Sequence, residues 1–365
     1  MKIIADEDIP FVEHYFGHCG EIILKPGRTL TRKDLLEADI LIARSVTQIN
    51  QRLLEGTPVR FVGSTVTGID HIDTEWLDQE GISWAYAGGC NAQAVADYVI
   101  GVIAALQSKQ LLSAKKMRVG VVGVGHIGSR VVLRLKSLNV EVVQCDPIRA
   151  DNESGFLTTS LSDFADLDLI TLHTPLTRVG KHPTFHMIEK NFLQRQKENC
   201  ILLNTGRGAV IHSGDLKTDG HHLKWCFDVW ENEPTIDLDI LKIALIATQH
   251  IAGHSIQGKY RGIEMIYQQA CDMGVISKGE VVPVDYPRMT LSFSGKQSSW
   301  RDVVLKIFDP LQYTQTVKSD LLGSIKTFDQ LRKEFVRRHE FSFVDIRDVI
   351  LNAENKKILA GFGIN

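Results

Sequence analysis

Three short segments of this sequence hold residues suited to moving a proton off an alcohol. Asn204-Thr205-Gly206-Arg207-Gly208 sets an arginine between glycines, so its planar fork of donors can enter a cleft and grip both oxygens of a carboxylate. Asp228-Val229-Trp230-Glu231-Asn232-Glu233-Pro234 offers three carboxylates within six residues. Thr248-Gln249-His250-Ile251-Ala252-Gly253-His254 follows the apolar run Ala244 to Ala247 and brings up His250. Taken singly, each segment also fits a turn arginine, a solvated acidic loop or a structural histidine. Together they fit an oxidoreductase. Turning an alcohol into a ketone removes a hydride from carbon and a proton from oxygen. Histidine titrates near neutral pH and, with a carboxylate beside it, is the natural base for the proton.

The hydride needs an acceptor, and a second motif offers one. Gly123-Val124-Gly125-His126-Ile127-Gly128 fits the GxGxxG pattern, a weak signal until its flanks are read. Val119 to Val122 leads in as a strand, and Ile127, Val131, Leu135 and Leu138 lead out at helical spacing. Val140 to Cys145 forms the next strand and ends in Asp146, 18 residues after Gly128. That order predicts a dinucleotide site, with Gly123, Gly125, His126, Ile127 and Gly128 around the pyrophosphate and Asp146 accepting from ribose hydroxyls. Asp146 would repel a 2′-phosphate, which favours NAD over NADP. Arg149 stands three residues further on.

These segments require a scaffold of short parallel strands. Lys2 to Ala5, Glu21 to Leu24, Asp39 to Ile42 and Val59 to Val62 make one set of apolar runs separated by helix-compatible spans. Val119 to Val122, Val140 to Cys145, Leu169 to Leu172, Ile201 to Leu203, Trp225 to Val229 and Ala244 to Ala247 make another. Two α/β units are expected. Asn91 to Gln110 reads as a buried bridging helix with Asn91 at its N-cap. The prolines of Val-Pro-Val-Asp-Tyr-Pro, ending at Pro287, break the pattern. Beyond them Thr290 to Phe293 reads as a strand, and Phe328, Leu331 and Phe335 as one face of a helix in the segment Phe328 to Phe341, which suggests a small third module.

Composition agrees with a globular enzyme. A length of 365 residues exceeds one domain of ~150. With 41 basic and 44 acidic residues the net charge is -3, which gives no footprint for nucleic acid or an anionic membrane. The longest apolar stretch, Val99 to Leu106, is too short to span a bilayer. The start, Met1 to Asp6, lacks the order of a secretion signal, so a cytoplasmic location is expected. Six cysteines lie apart with no CxxC pair, which points to core thiols and no metal site.

With these motifs in place, the sequence resembles the D-isomer-specific 2-hydroxyacid dehydrogenases, carried by the RG turn, the D-V-x-x-x-E-P segment and the histidine behind them. The resemblance implies that Arg207 binds and polarises substrate, Glu233 partners the histidine and His250 is the acid/base. Glu231 lies two residues short of that match. Asp228 would orient the nicotinamide, and His173-Thr174-Pro175 with Gly253 would line the cofactor. Asp6-Glu7-Asp8-Ile9-Pro10, Ala43-Arg44-Ser45-Val46-Thr47, Phe61 to Ser64, Gly68-Ile69-Asp70-His71, Gly89 to Ala92 and Phe328 to Arg338 are similar to a branch of the family acting on a phosphorylated 2-hydroxy acid.

That branch implies two Rossmann-like or flavodoxin-like parallel-sheet α/β domains plus a small α+β C-terminal dimerisation domain, and a homodimer. The expected division is 1–92 with 256–285 for substrate, 93–255 for NAD, and 286–365 for dimerisation. A substrate phosphate needs a cationic or hydroxyl-rich pocket. Arg44 and Ser45, with Thr67 and Gly68 nearby, are the candidates, and a surface salt bridge is the competing role for Arg44. His254 stands where that branch usually has a tyrosine, in a segment that contacts substrate. A binding protein that senses NAD without catalysis is the alternative from another class.

Overall fold

The computed structural model describes residues 1–114 and 116–365 and divides into two compact units. The first joins Met1–Asn91 to Ser255–Pro287, and the second joins Ala92–His254 to Arg288–Asn365.

In the first unit, β1 (Lys2–Asp6), β2 (Glu21–Lys25), β3 (Ile40–Ala43), β4 (Phe61–Ser64) and β5 (Ser83–Tyr86) form one parallel sheet in the order β2-β1-β3-β4-β5. The central strands β3 and β4 are buried throughout, as a parallel sheet covered on both faces demands. The edge strand β5, Ser83-Trp84-Ala85-Tyr86, is only partly buried. A strand with one polar and two aromatic residues has no continuous apolar run, and for that reason the periodicity does not predict it. The helix Ile256–Asp272 returns to this sheet, with Ile263 and Ile266 in its core.

In the second unit, β6 (Arg118–Val122), β7 (Glu141–Cys145), β8 (Leu169–Leu172), β9 (Ile201–Asn204), β10 (Lys224–Phe227) and β11 (Ile246–Ala247) make a parallel sheet in the order β11-β10-β9-β8-β6-β7. The strand order reverses at β6, with β7 on one side and β8 on the other, which is where an open α/β sheet presents its ligand crevice. The expected strand at Ala244 to Ala247 is trimmed to β11. The helix Ala92–Ser108 is buried on every face, so it has no amphipathic stripe. Its one charged residue, Asp97, forms an ion pair with Arg134 and accepts the Phe341 N–H at 2.8 Å. Burial pushes the Asp97 carboxyl up to about 7 even though Arg134 opposes the shift.

Residues 288–365 pack within this second unit. The strands β12 (Met289–Gln297) and β13 (Val344–Ile350) pair in parallel, and Trp300, Val303, Val304, Phe308, Phe341 and Phe362 join the core around Ala92–Ser108. Thr314 Oγ1 accepts the Ala247 N–H at 3.0 Å, closing that edge of the sheet. The helix begun at Phe328 ends at Glu334, and Phe335 is already extended, so the helical segment is shorter than its spacing suggests. Four cysteines, Cys90, Cys145, Cys200 and Cys226, are buried, as core thiols are. Among the described residues no helix is long and apolar enough to cross a membrane.

Candidate active site

All the dinucleotide and catalytic candidates stand at the carboxyl ends of β6 to β11. The three motif glycines do three different things. Gly123 turns the chain with φ 82°, and a Cβ there would press on His173 and Thr174 at 2.9 Å. A Cβ on Gly128 would strike the Gly123 carbonyl, so this glycine lets the helix His126–Ser137 approach the strand. A Cβ on Gly125 would meet nothing within 4 Å. This leaves room at the helix N-terminus, where free N–H groups favour a pyrophosphate. His126 is exposed in the first turn of that helix, and Ile127 packs behind it against the core.

Two further details fit a dinucleotide here. The hydroxyl of Thr174, beside Gly123, is buried with no hydrogen-bond partner, and a bound cofactor would supply one. The Asp146 carboxylate is fixed at the end of β7, accepting the Val124 N–H at 2.7 Å and the Arg149 N–H at 2.9 Å. Arg149 is itself engaged by Glu153 at 2.6 Å and lies over the Phe156 ring. The neighbouring His173 bridges Thr171 and Thr205 at 3.0 and 2.9 Å, and burial pulls its imidazole down to about 3, which keeps it neutral.

The same edge assembles the arginine, the acid and the histidine. A Cβ on Gly206 would meet the Thr174 carbonyl at 2.8 Å, and a Cβ on Gly208 would collide with the backbone of Trp230 and Glu231. These glycines let the Arg207 loop lie directly between the Thr174 and Trp230 loops. Asn204 fixes the turn, donating to the Arg207 carbonyl at 2.9 Å and accepting from Gly206 N at 3.0 Å. Arg207 is half-buried in extended backbone.

His250 Nδ1 lies 2.7 Å from Glu233 Oε2, and Glu233 Oε1 accepts the Trp230 N–H at 2.7 Å. Burial alone would raise the Glu233 pKa. The His250 charge and hydrogen bond, the Trp230 N–H and the charge of Arg332 outweigh it and hold the carboxyl below its usual value. An ionised Glu233 accepts a hydrogen bond from the Nδ1–H and leaves Nε2 to do chemistry. Glu231 points elsewhere, to His186 Nε2 at 2.6 Å and Ser213 N at 3.2 Å.

Asp228 is 1% exposed, and its carboxylate accepts from Thr248 Oγ1 at 2.6 Å, Ile251 N at 2.8 Å and Ala252 N at 2.9 Å. It clasps the loop that carries His250. That residue adopts φ 58°, a left-handed conformation that a non-glycine residue holds only when its surroundings dictate it. Gly253 and His254 follow, with the His254 ring 6.0 Å from Phe335. Burial first, then Arg332, His250, Arg337 and Arg338, keep the His254 imidazole well below its ordinary pKa.

The phosphate candidates lie in the first unit, after β3 and β4. The pairing of Ala43 with Ser64 places the loops that follow side by side. Arg44 donates to Asp6 at 2.9 Å and Asp8 at 2.5 Å, while its Nε is buried without a partner. Ser45 is exposed, Thr67 Oγ1 donates to Asn91 at 2.8 Å, and Gly68 is half-buried in the same turn.

Sequence reasoning missed Arg332 and Arg338 beside the histidine loop. Arg338 donates to the carbonyls of Ala252 at 2.8 Å and His254 at 3.2 Å. Nothing in the spacing of this basic stretch ties it to residues some eighty positions earlier.

Comparison with known proteins agrees with this geometry. Residues 95–252 match the model of the D-isomer specific 2-hydroxyacid dehydrogenase NAD binding domain. The chain is 42% identical over 350 residues to an erythronate-4-phosphate dehydrogenase of Coxiella burnetii (strain RSA 493 / Nine Mile phase I), covering 95% of each chain. It is 36% identical over 376 residues to one of Pseudomonas fluorescens (strain Pf0-1), covering 100% of this chain and 99% of that one. Among solved structures, the NAD+-bound 3-phosphoglycerate dehydrogenase of Entamoeba histolytica shares the fold with TM-score 0.64 at 20% identity, over 78% of this chain and 99% of that one. Extended identity at this level across the full length places the chain in the erythronate-4-phosphate dehydrogenase family of NAD-dependent D-isomer specific 2-hydroxyacid dehydrogenases.

Proposed function

We propose that this chain oxidises 4-phospho-D-erythronate to 2-oxo-3-hydroxy-4-phosphobutanoate with NAD, a step in forming pyridoxal 5′-phosphate (vitamin B6). The observation that carries the reading is the 2.7 Å contact of His250 with a carboxylate whose other oxygen is already fixed. His250 Nε2 takes the proton of the C2 hydroxyl, and Glu233 stabilises the imidazolium that results. Arg207 grips the C1 carboxylate and polarises the forming ketone. NAD, when bound, supplies the hydride acceptor. Gly123, Gly125, Gly128, Asp146 and Thr174 hold it, and Asp228 orients its ring end indirectly by fixing the loop from Thr248 to Ala252.

The C4 phosphate falls to Arg44, Ser45, Thr67 and Gly68, with His254 contacting substrate. Asp8, exposed and paired with Arg44, would yield that guanidinium to the dianion. The same reading assigns substrate to residues 1–92 and 256–285, NAD to 93–255, and self-association as a cytoplasmic homodimer to 286–365. Light scattering on the full chain tests the dimer.

The activity is tested by following nicotinamide reduction with 4-phosphoerythronate, 3-phosphoglycerate and unphosphorylated erythronate. Turnover should be greatest with the first and abolished in H250A and R207A folded as wild type. Equal turnover of 3-phosphoglycerate would remove the substrate assignment, and an active H250A would remove the base.

A further inference from the structure

The loop from Gln249 to His254 carries the proposed base, and its backbone is held from two sides. Its N–H groups at Ile251 and Ala252 go to Asp228. Its carbonyls go to a residue from the far end of the chain. Arg338 Nη1 donates to Ile251 O at 3.5 Å and His254 O at 3.2 Å, while Nη2 donates to Ala252 O at 2.8 Å and Ala94 O at 2.5 Å. Arg338 is buried at 7% exposure, and its guanidinium carbon lies 4.6 Å from the Phe308 ring centroid. Around it Asp97 pairs with Arg134, and Glu340 is fully buried, so two cations face two acids in the core. Two neighbours strengthen the attachment: Gln249 Nε2 reaches Leu331 O at 3.4 Å, and Phe335 flanks the His254 ring.

We propose that Arg338 is a positioning residue for the reaction: by gathering the carbonyls of Ile251, Ala252 and His254 it holds His250 in register with Glu233, which makes the C-terminal segment part of the catalytic apparatus. The inference rests on the reading of His250 as the base. Four carbonyls converge on one buried group, and only a guanidinium has donors spread widely enough to serve them. His250 sits at φ 58°, so a loop freed on its carbonyl side would relax away from that conformation. A displacement on the order of 1 Å at a reacting group costs roughly 10²-fold in rate.

The experiment compares wild type, R338A, R338K and H250A as full chains, with thermal melts, NAD binding by fluorescence, and separate kcat and KM for the phosphorylated substrate. R338A should lose about 10²-fold in kcat, with KM and NAD affinity within a few-fold of wild type. R338K should recover part of that loss, and methylguanidinium should raise the kcat of R338A but not of H250A. A folded R338A with wild-type kcat, or a loss carried by KM or NAD affinity, overturns the proposal. If R338A does not fold, R338K decides: reduced kcat at unchanged KM supports it, and wild-type kcat overturns it. Turnover surviving in H250A sinks the base reading itself, whereas a dead H250A beside an unimpaired R338K sinks only the role of Arg338.

Discussion

Glu233 meets His250 through one oxygen, at 2.7 Å from Nδ1, and spends the other on the Trp230 N–H at the same distance. The carboxylate is therefore oriented before substrate arrives, and the imidazole tautomer follows from it. An amide in place of the acid keeps the shape but loses the charge. E233Q should fold normally and lose about 10²-fold or more in kcat, with KM nearly unchanged. Steady-state kinetics beside a thermal melt checks this, and a kcat within a few-fold of wild type would show that the carboxylate does not assist the base.

The motif glycines separate cofactor binding from folding. Gly125 faces open space, whereas a side chain on Gly128 would strike the Gly123 carbonyl. G125A should melt close to wild type and bind NAD at least about tenfold more weakly, because its methyl enters the pyrophosphate space. G128A should lose roughly 1–3 kcal/mol of stability through overpacking against backbone. Calorimetric NAD titration with melts of both variants reads the split, and similar NAD affinity in G125A and wild type would contradict it.

Asp228 faces three donors and offers only acceptors. In D228N one of those N–H or O–H groups would meet an amide N–H in a buried site. Leaving a buried donor unmet costs about 1–3 kcal/mol, so urea unfolding should show a loss of that size. Stability equal to wild type would mean that the loop finds other acceptors.

His173 gives the stability an acid-side slope. Burial holds its imidazole at about 3, against an ordinary 6.5. Between those values the unfolded chain binds a proton that the folded protein refuses. Stability contributed by the neutral ring is therefore complete above 6.5 and is lost as pH falls towards 3. The slope per group approaches ~1.4 kcal/mol per pH unit. H173N, which has no proton to take up, should show a shallower decline in urea midpoints across that range, and parallel curves for the two proteins would refute the assignment.

Much of the scaffold is legible in the order of residues because a parallel strand buried on both faces is largely apolar. β3, β4, β8 and β9 are such strands, and each opens on two or more consecutive Ile, Leu, Val or Phe residues. β5 is only four residues long and β13, Val-Asp-Ile-Arg-Asp-Val-Ile, is interrupted by charges, so neither carries a long apolar run and both escape notice. The glycine turn with Asp146 is readable for a related reason, since close backbone approach admits few residue types.

Residue order alone therefore made most strands of the two large sheets and the dinucleotide turn legible, because each is set by local chemistry over a few positions, and the roles given to Arg207, Glu233 and His250 came from resemblance to the family. Tertiary structure decided which acid serves His250. Glu231 and Glu233 are equivalent as carboxylates, but the fold sends one to His186 and the other to His250. It also decided the partners of Arg44 and Arg338. A long cationic side chain can satisfy itself with any acceptor within reach, and only the packed chain brings Asp6 to the first and the carbonyls of Ala252 and His254 to the second.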